Sequence, residues 1–470
     1  MTRKCFNRLA MFAVGVVLVG APSRPAAAQD TAAPGAAAQD QSKTTYTMPE
    51  YNAFQAANSE KDPQARLKLL DDFVAKYPNS TLMPYVDTLY YQTYSQLKNY
   101  PKTIEWADKL VALGDKVDAQ ARLQAIQARV SVFAAIYPTI AKNADIQQQL
   151  TKERDAALDG AKLLDQLPKP ATVTGTDDDW KKQKMPGLAF FYAAAGFADL
   201  QLKDSAGAVQ AFKNALANKP DDAVSAYRLG LSYLGLTPPQ YLDGFWALAR
   251  AIDLKVPDAD KIKDYLQKQI LAYEQPGCDN QATDQLNELL QLAQNSPDRP
   301  ATWTLPSQAD LNTIRQASNI LSVIGDLGGG SDKAKMTWLA ICGAEFPEVV
   351  GKIIDVKPGE GFIDFLVYTG ASTDDMQNAT TANMDVKVWT AAPPPGGAAA
   401  AGAASTTPVP PQPDVVRLQK DDPIRFSGTL VSYDPSPLML HWDQVKVDPT
   451  IIPEKGNTGK HKAVPKKSQP

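Results

Sequence analysis

Few residues in this chain are of a type and spacing that could do chemistry. It has two histidines, His441 and His461. His441 and Asp443 alternate along a strand-like segment, so both fall on one face. Two ligands could begin a metal site, but no third accompanies them, and an exposed strand pair is the plainer reading. Asp177, Asp178 and Asp179 are adjacent, whereas a calcium loop alternates its ligands around a Gly turn; a solvated loop suits them better. Gly325 to Lys333 is Gly-rich but lacks the Gly-Lys pair that a phosphate-cradling loop needs. Neither H-E-x-x-H nor G-x-S-x-G occurs. Acidic residues are many, 52 against 48 Lys plus Arg, yet no pattern selects a pair for acid–base work. The expectation is a protein that is not an enzyme and takes no cofactor and no metal.

Two further residue sets could matter. Of three cysteines, Cys278 and Cys342 lie beyond the first apolar segment. In an oxidising compartment they could pair, which would stabilise by about 4 kcal/mol on chain-entropy grounds; two separate buried thiols are the alternative. Trp389, Trp442, Phe426 and Tyr433 could stack nucleic-acid bases. However, the net charge is -4, and nucleic-acid partners call for a basic footprint. Core or rim aromatics are the better reading, with no nucleic acid as partner.

The N-terminus has the form of a secretory signal (1–28). Arg3, Lys4 and Arg8 precede an apolar run, Leu9 to Ala21, that is short for a membrane span of about 20 residues. Ala26, Ala27 and Ala28 supply the small residues of a cleavage site, placed after Ala28; an uncleaved anchor is the alternative. Cys5 precedes the run, so a lipoprotein arrangement is not indicated. With a bacterial look overall, this implies a periplasmic protein. Residues 29–45 are Ala, Gln, Asp and Gly with almost no large apolar side chain, and are expected to be disordered.

Helical spacing dominates 46–275. Tyr51, Phe54 and Ala57 recur on one face; Pro63 opens a second helix that ends at Tyr77-Pro78. A second pair covers Pro84 to Leu97 and Thr103 to Leu113, and a third Ala119 to Tyr137 and Ile146 to Leu167. Ala171 to Lys184 reads as a polar loop. Next, Gly196 is followed at fixed offsets by Ala208, Phe212, Ala215 and Pro220. Gly230 stands 34 residues after Gly196, with Tyr233 close behind, and Gly244, Leu248 and Ala251 resume the spacing. The pattern resembles the tetratricopeptide repeat, whose period is about 34 residues. The Tyr77-Pro78-Asn79-Ser80 stop is similar to units of bacterial outer-membrane assembly lipoproteins. The resemblance implies an α-solenoid that binds partners rather than performing chemistry. It also implies that residues two, five, nine and twelve of each first helix line the concave groove: Phe190, Ala193, Phe197 and Leu200, then Val224, Tyr227, Leu231 and Leu234. That face is apolar and aromatic, suited to a hydrophobic or extended peptide; packing against neighbouring helices of the same chain is the alternative.

Asp258 to Tyr273 reads as a capping helix. A helical connecting or capping region (276–345) follows, with helices over Cys278–Leu292 and Leu311–Ile324, then a short helix or strand to Cys342. From Phe346 the pattern turns to strands. Val349 to Val356, Phe362 to Thr369 and Met384 to Thr390 precede a Pro/Ala-rich insertion, 391–413, expected to be disordered. Ile424 to Leu430 and Leu438 to Trp442 follow it. Five strands over 346–450, with Gly428 as a bend, resemble a small antiparallel OB-like barrel. A basic, disordered tail (451–470) closes the chain and could make a peripheral envelope contact.

The fold class expected is mainly α: a tetratricopeptide-type helical-hairpin stack followed by a small β-domain. The function expected is a non-enzymatic adaptor or scaffold of the cell envelope that holds a protein partner in the groove. An envelope-polymer or carbohydrate-binding protein using the β-domain is the alternative.

Overall fold

The computed structural model describes residues 46–278, 280–330, 332–392 and 409–455. The segment expected to be a secretory signal, residues 29–45, most of the Pro/Ala-rich insertion and the basic end of the tail lie outside them. The chain is mainly helical with a small β region near its C-terminus, and divides into two compact units, 1–259 and 260–470. The boundary falls within the stretch expected as one helical stack, and places nearly all of the expected capping helix, Ala259–Glu274, in the second unit. Among the described residues, no helix is long and apolar enough to cross a membrane.

The first unit is five helical hairpins: α1 (Met48–Ser59) with α2 (Pro63–Lys76), α3 (Met83–Gln96) with α4 (Tyr100–Ala112), α5 (Ala119–Ile140) with α6 (Ile146–Gln166), α7 (Asp177–Leu202) with α8 (Ser205–Asn218), and α9 (Ala223–Leu234) with α10 (Tyr241–Asp253). Each helix packs on the next in sequence, and α3, α5, α7 and α9 also touch in succession. The starts are chemically marked. Asp62, Asp118, Asp204 and Asp222 each accept a backbone N–H from the first turn of the helix they precede, satisfying donors that have no partner within the helix. The same rule corrects the reading of Ala171 to Lys184 as a loop. Thr176 and Asp179 form a reciprocal capping box, and Asp177, Asp178 and Asp179 are the first turn of α7. Negative charge there is stabilised by the helix dipole.

The cores of the hairpins are local. Tyr90 stacks on Trp106 with ring centroids 3.9 Å apart and donates from its hydroxyl to Asp71 at 2.7 Å. Arg129 on α5 is buried and ties three helices together, bonding Asp108 of α4 at 2.8 Å and Glu153 of α6. Burial pushes the Glu153 carboxyl upward while the guanidinium pulls it down.

The second unit contains α11 (Ala259–Glu274), α12 (Gln281–Asn295), α13 (Gln308–Ala317), α14 (Ile320–Gly328), α15 (Asp332–Ile341) and α16 (Thr373–Asn378), with strands β1 (Glu345–Pro358), β2 (Phe362–Tyr368), β3 (Met384–Trp389), β4 (Pro423–Pro435) and β5 (Leu438–Val447). The single helix expected over Leu311–Ile324 is two. Asn319 breaks it, because its side chain accepts from Leu321 and Ser322 and so starts α14. The strands close into a barrel in the order β1-β2-β3-β5-β4. Four pairings are antiparallel and β3 runs parallel to β5. The expected all-antiparallel sheet is therefore corrected at this seam: the chain crosses between β3 and β4 before returning with β5. The ladder between β4 and β5 shifts register between Ser427 and Thr429, around Gly428, the residue expected to bend the strand.

Alternation places Met384, Val386 and Val388 inside with Phe426, Leu440 and Trp442. Leu311, Val323, Leu327 and Leu339 join the same core. Helices α13 to α15 are thus part of the barrel's packing rather than only a connection. Cys278 and Cys342 form a disulfide with Cα atoms 5.5 Å apart, joining the start of α12 to the end of α15. Two expected disordered boundaries also move. Gln412 donates its backbone N–H to the Trp389 carbonyl and pairs its side chain with the backbone of Val447 at 2.8 Å in both directions. Ile451 and Ile452 pack against the core.

Candidate functional site

The strongest sequence pattern resolves into helix crossings. A Cβ at Gly196 would stand 3.0 Å from the Phe212 ring, which is fully buried with Ala208 and Ala215. A Cβ at Gly230 would meet Leu248 at 2.7 Å and the Gly244 carbonyl at 3.0 Å. The small residues let α7 approach α8, and α9 approach α10, while Phe212 and Leu248 fill the adjoining space. Ala251 is buried, Tyr233 packs beside Phe212 and Leu229, and Pro220 lies in the exposed turn between α8 and α9.

Of the candidate groove residues, Phe190, Phe197, Leu200, Tyr227 and Leu231 are all half-buried. Phe190 packs against Phe191 and the core shared by α5, α6 and α7. Leu200 packs toward Phe212. Both are partly engaged by their own hairpins. Phe197 is placed differently, between three successive first helices. The ring of Tyr137 on α5 meets it edge-on at 4.9 Å, and the Arg228 guanidinium of α9 lies 4.9 Å from its centroid. Tyr137 donates its hydroxyl to Gln201 at 2.7 Å.

Tyr137, Gln201 and Arg228 were not among the residues singled out from sequence. A signal for Arg228 existed: Val224, Arg228 and Leu231 share one helical stripe by their spacing of four and three. The signal for Tyr137 was weaker, because it stood at the last position of the expected helix, whereas α5 runs on to Ile140.

On the barrel, His441 bonds neither Asp443 nor a metal-like set. Its ring lies between Asp385 (3.3 Å from Nδ1) and Asp434 (3.0 Å from Nε2), while Asp443 accepts from the Gln444 backbone at 2.7 Å. Among the described residues, no group of three His, Cys, Asp or Glu could hold a metal ion. Of the aromatics weighed as stacking platforms, Trp442 and Phe426 are inside the barrel. Trp389 is half-buried on the outer face, 5.5 Å from Phe362 across β2 and β3, with the Lys387 ammonium 4.6 Å from the Phe362 ring. Asp364 and Asp385 belong to the same face, and each has a buried oxygen without a hydrogen bond, as does the Trp389 indole nitrogen. Burial, then the neighbouring Asp385, pushes the Asp364 carboxyl upward.

No protein-family model matches this chain, and no curated protein matches it.

Proposed function

We propose that the first unit is a tetratricopeptide-type solenoid and that the protein is a non-enzymatic adaptor of the bacterial envelope, exported to the periplasm, which holds a protein segment on the face formed by α5, α7 and α9. The observation that carries this reading is the succession of small-residue crossings, Gly196 on Phe212 and Gly230 on Leu248, combined with an aromatic inner face centred on Phe197. Such crossings let hairpins stack at a regular spacing, and stacked first helices form a concave surface. Half-buried aromatics supply contact area with little loss of side-chain freedom.

The test is crosslinking from envelope extract followed by binding with the purified partner. A partner identified with wild type and rebuilt from pure components should bind at least tenfold more weakly to a folded Phe197→Ala/Tyr227→Ala variant. Equal binding by both proteins would move the site away from this face.

A second reading has one specific observation behind it. The outer face of β2 and β3 joins Phe362 and Trp389 to carboxylates with unsatisfied oxygens, a combination that suits the flat faces and hydroxyls of sugars. The strand order, with its parallel β3–β5 seam, supports an OB-like barrel. Trp442 is buried and adds no aromatic surface to this reading. Retention on envelope polysaccharide that is lost in Trp389→Ala would favour it over the adaptor.

A further inference from the structure

The inner helices place a cation where apolar side chains were expected. Arg228 lies against the Phe197 ring, and among the described residues no ion pair reaches its guanidinium. The acid that acts on it, Asp222, is committed elsewhere: its carboxylate caps α9 at Val224 and Ser225 and accepts the Ser225 hydroxyl at 2.7 Å. Packing withdraws water from the guanidinium and pushes its pKa down to about 10, so the cation persists at neutral pH.

Holding a partly desolvated charge is costly unless it is paired. A cation–π contact returns only about 0.5–2 kcal/mol of that cost. Close by, the Tyr137 hydroxyl occupies the Gln201 carbonyl oxygen, which leaves the amide N–H groups as donors. Around Phe197 the surface therefore offers donors and one positive charge. Val224 and Leu231 on the Arg228 stripe, with Phe190 on α7, are apolar.

We propose that Arg228, seated on Phe197, recognises a carboxylate side chain, Asp or Glu, in a partner segment whose neighbouring residues are apolar. This rests on the reading of the α5–α7–α9 face as the binding surface. A planar guanidinium and a carboxylate make paired, charge-assisted hydrogen bonds, and the Phe197 ring, 4.9 Å away, gives the guanidinium an aromatic neighbour on α7. Lys in its place would keep the charge and lose the fork.

The test uses the full chain and fluorescein-labelled synthetic peptides of about 15 residues, drawn from Leu- and Phe-bearing sequences suited to such grooves. Each peptide carries a single central Glu, has a twin with Gln, and is C-terminally amidated so that no terminal carboxylate competes. In fluorescence anisotropy the Glu member of a binding pair should be about tenfold tighter than its twin. This preference should weaken in salt, fall to near one in Arg228→Gln, and survive only in part in Arg228→Lys, with circular dichroism showing each variant folded. Equal binding of both twins to wild type, lost in Phe197→Ala, would overturn the proposal and leave the apolar groove standing. A Glu preference that persists in Arg228→Gln would overturn the role of Arg228. Binding of no peptide would overturn this proposal together with the reading it rests on.

Discussion

The two units reach cohesion by opposite routes. In the first, each helix packs on its sequence neighbour, and the main packing beyond neighbours skips a single helix, as α5 does to α7. In the second, β1 pairs with β4 and β3 with β5, across long intervening segments, and a disulfide adds a covalent link between α12 and α15. Local contacts make an array whose parts can open piece by piece. A closed barrel has to assemble non-local pairs before any pair is secure. One chain thus combines a region that can open piece by piece with a region that is held or lost as a whole.

The largest expected effect attacks the second unit. Trp442→Ala empties the barrel interior and should cost about 4 kcal/mol, because Trp442 is only 2% exposed. In hydrogen exchange, protection should fall throughout β1 to β5 together while the hairpins keep theirs; loss confined to β5 would break the contrast. Next, Cys278→Ser/Cys342→Ser opens the loop closed by the disulfide, whose sequence separation is 64. It should lower the stability of the second unit by about 4 kcal/mol or somewhat less, with the first unit's urea midpoint unmoved.

A smaller effect should appear in the first unit. Gly230→Ala places a methyl 2.7 Å from Leu248 and should cost about 2 kcal/mol through overpacking. Exchange should speed up in α9 and α10 and leave α1 to α4 unchanged; uniform acceleration would mean the hairpins are not independent.

The last effect shows itself only on changing pH. Glu274 is fully buried, one of its oxygens lacks a hydrogen bond, and burial pushes its pKa up to about 8 from 4.5. A raised carboxyl pKa means the folded state prefers the neutral acid, so this site's contribution is intact below about 4.5 and is lost as pH rises toward 8. Glu274→Gln should therefore match wild type at pH 4 and be the more stable of the two at pH 9, the gap opening as pH rises through the folded-state pKa. Equal urea midpoints at both pH values would show that the carboxyl finds solvation in the folded state.

Much of the helical architecture was legible because its signals are local. Pro63 at a helix start acts within one turn of itself, and Gly196 and Phe212, which meet at a crossing, belong to adjacent helices of one hairpin. The miss at Asp177 to Asp179 arose because three acids suit a loop and a helix's first turn equally well. Only the Thr176–Asp179 pairing decides between them. The barrel's alternation was readable at Met384, Val386 and Val388, but its parallel seam was not, since register between distant strands leaves no mark in either strand alone. The same holds at the candidate face. Phe197 and Tyr227 were named through the resemblance to the repeat, whereas the meeting of Phe197 with Tyr137 and Arg228 depends on how three hairpins align.

The tie made by Gln412 has a practical consequence for protein engineering. By bonding Trp389 on one side and Val447 on the other, it anchors the chain where it re-enters the barrel after the Pro/Ala-rich segment. The described flanks of that segment are therefore held by the barrel at Trp389 and Gln412. The position between β3 and Gln412 is thus a port: a fluorophore site, an affinity tag or a small foreign domain could be spliced there and read out while the barrel keeps its register.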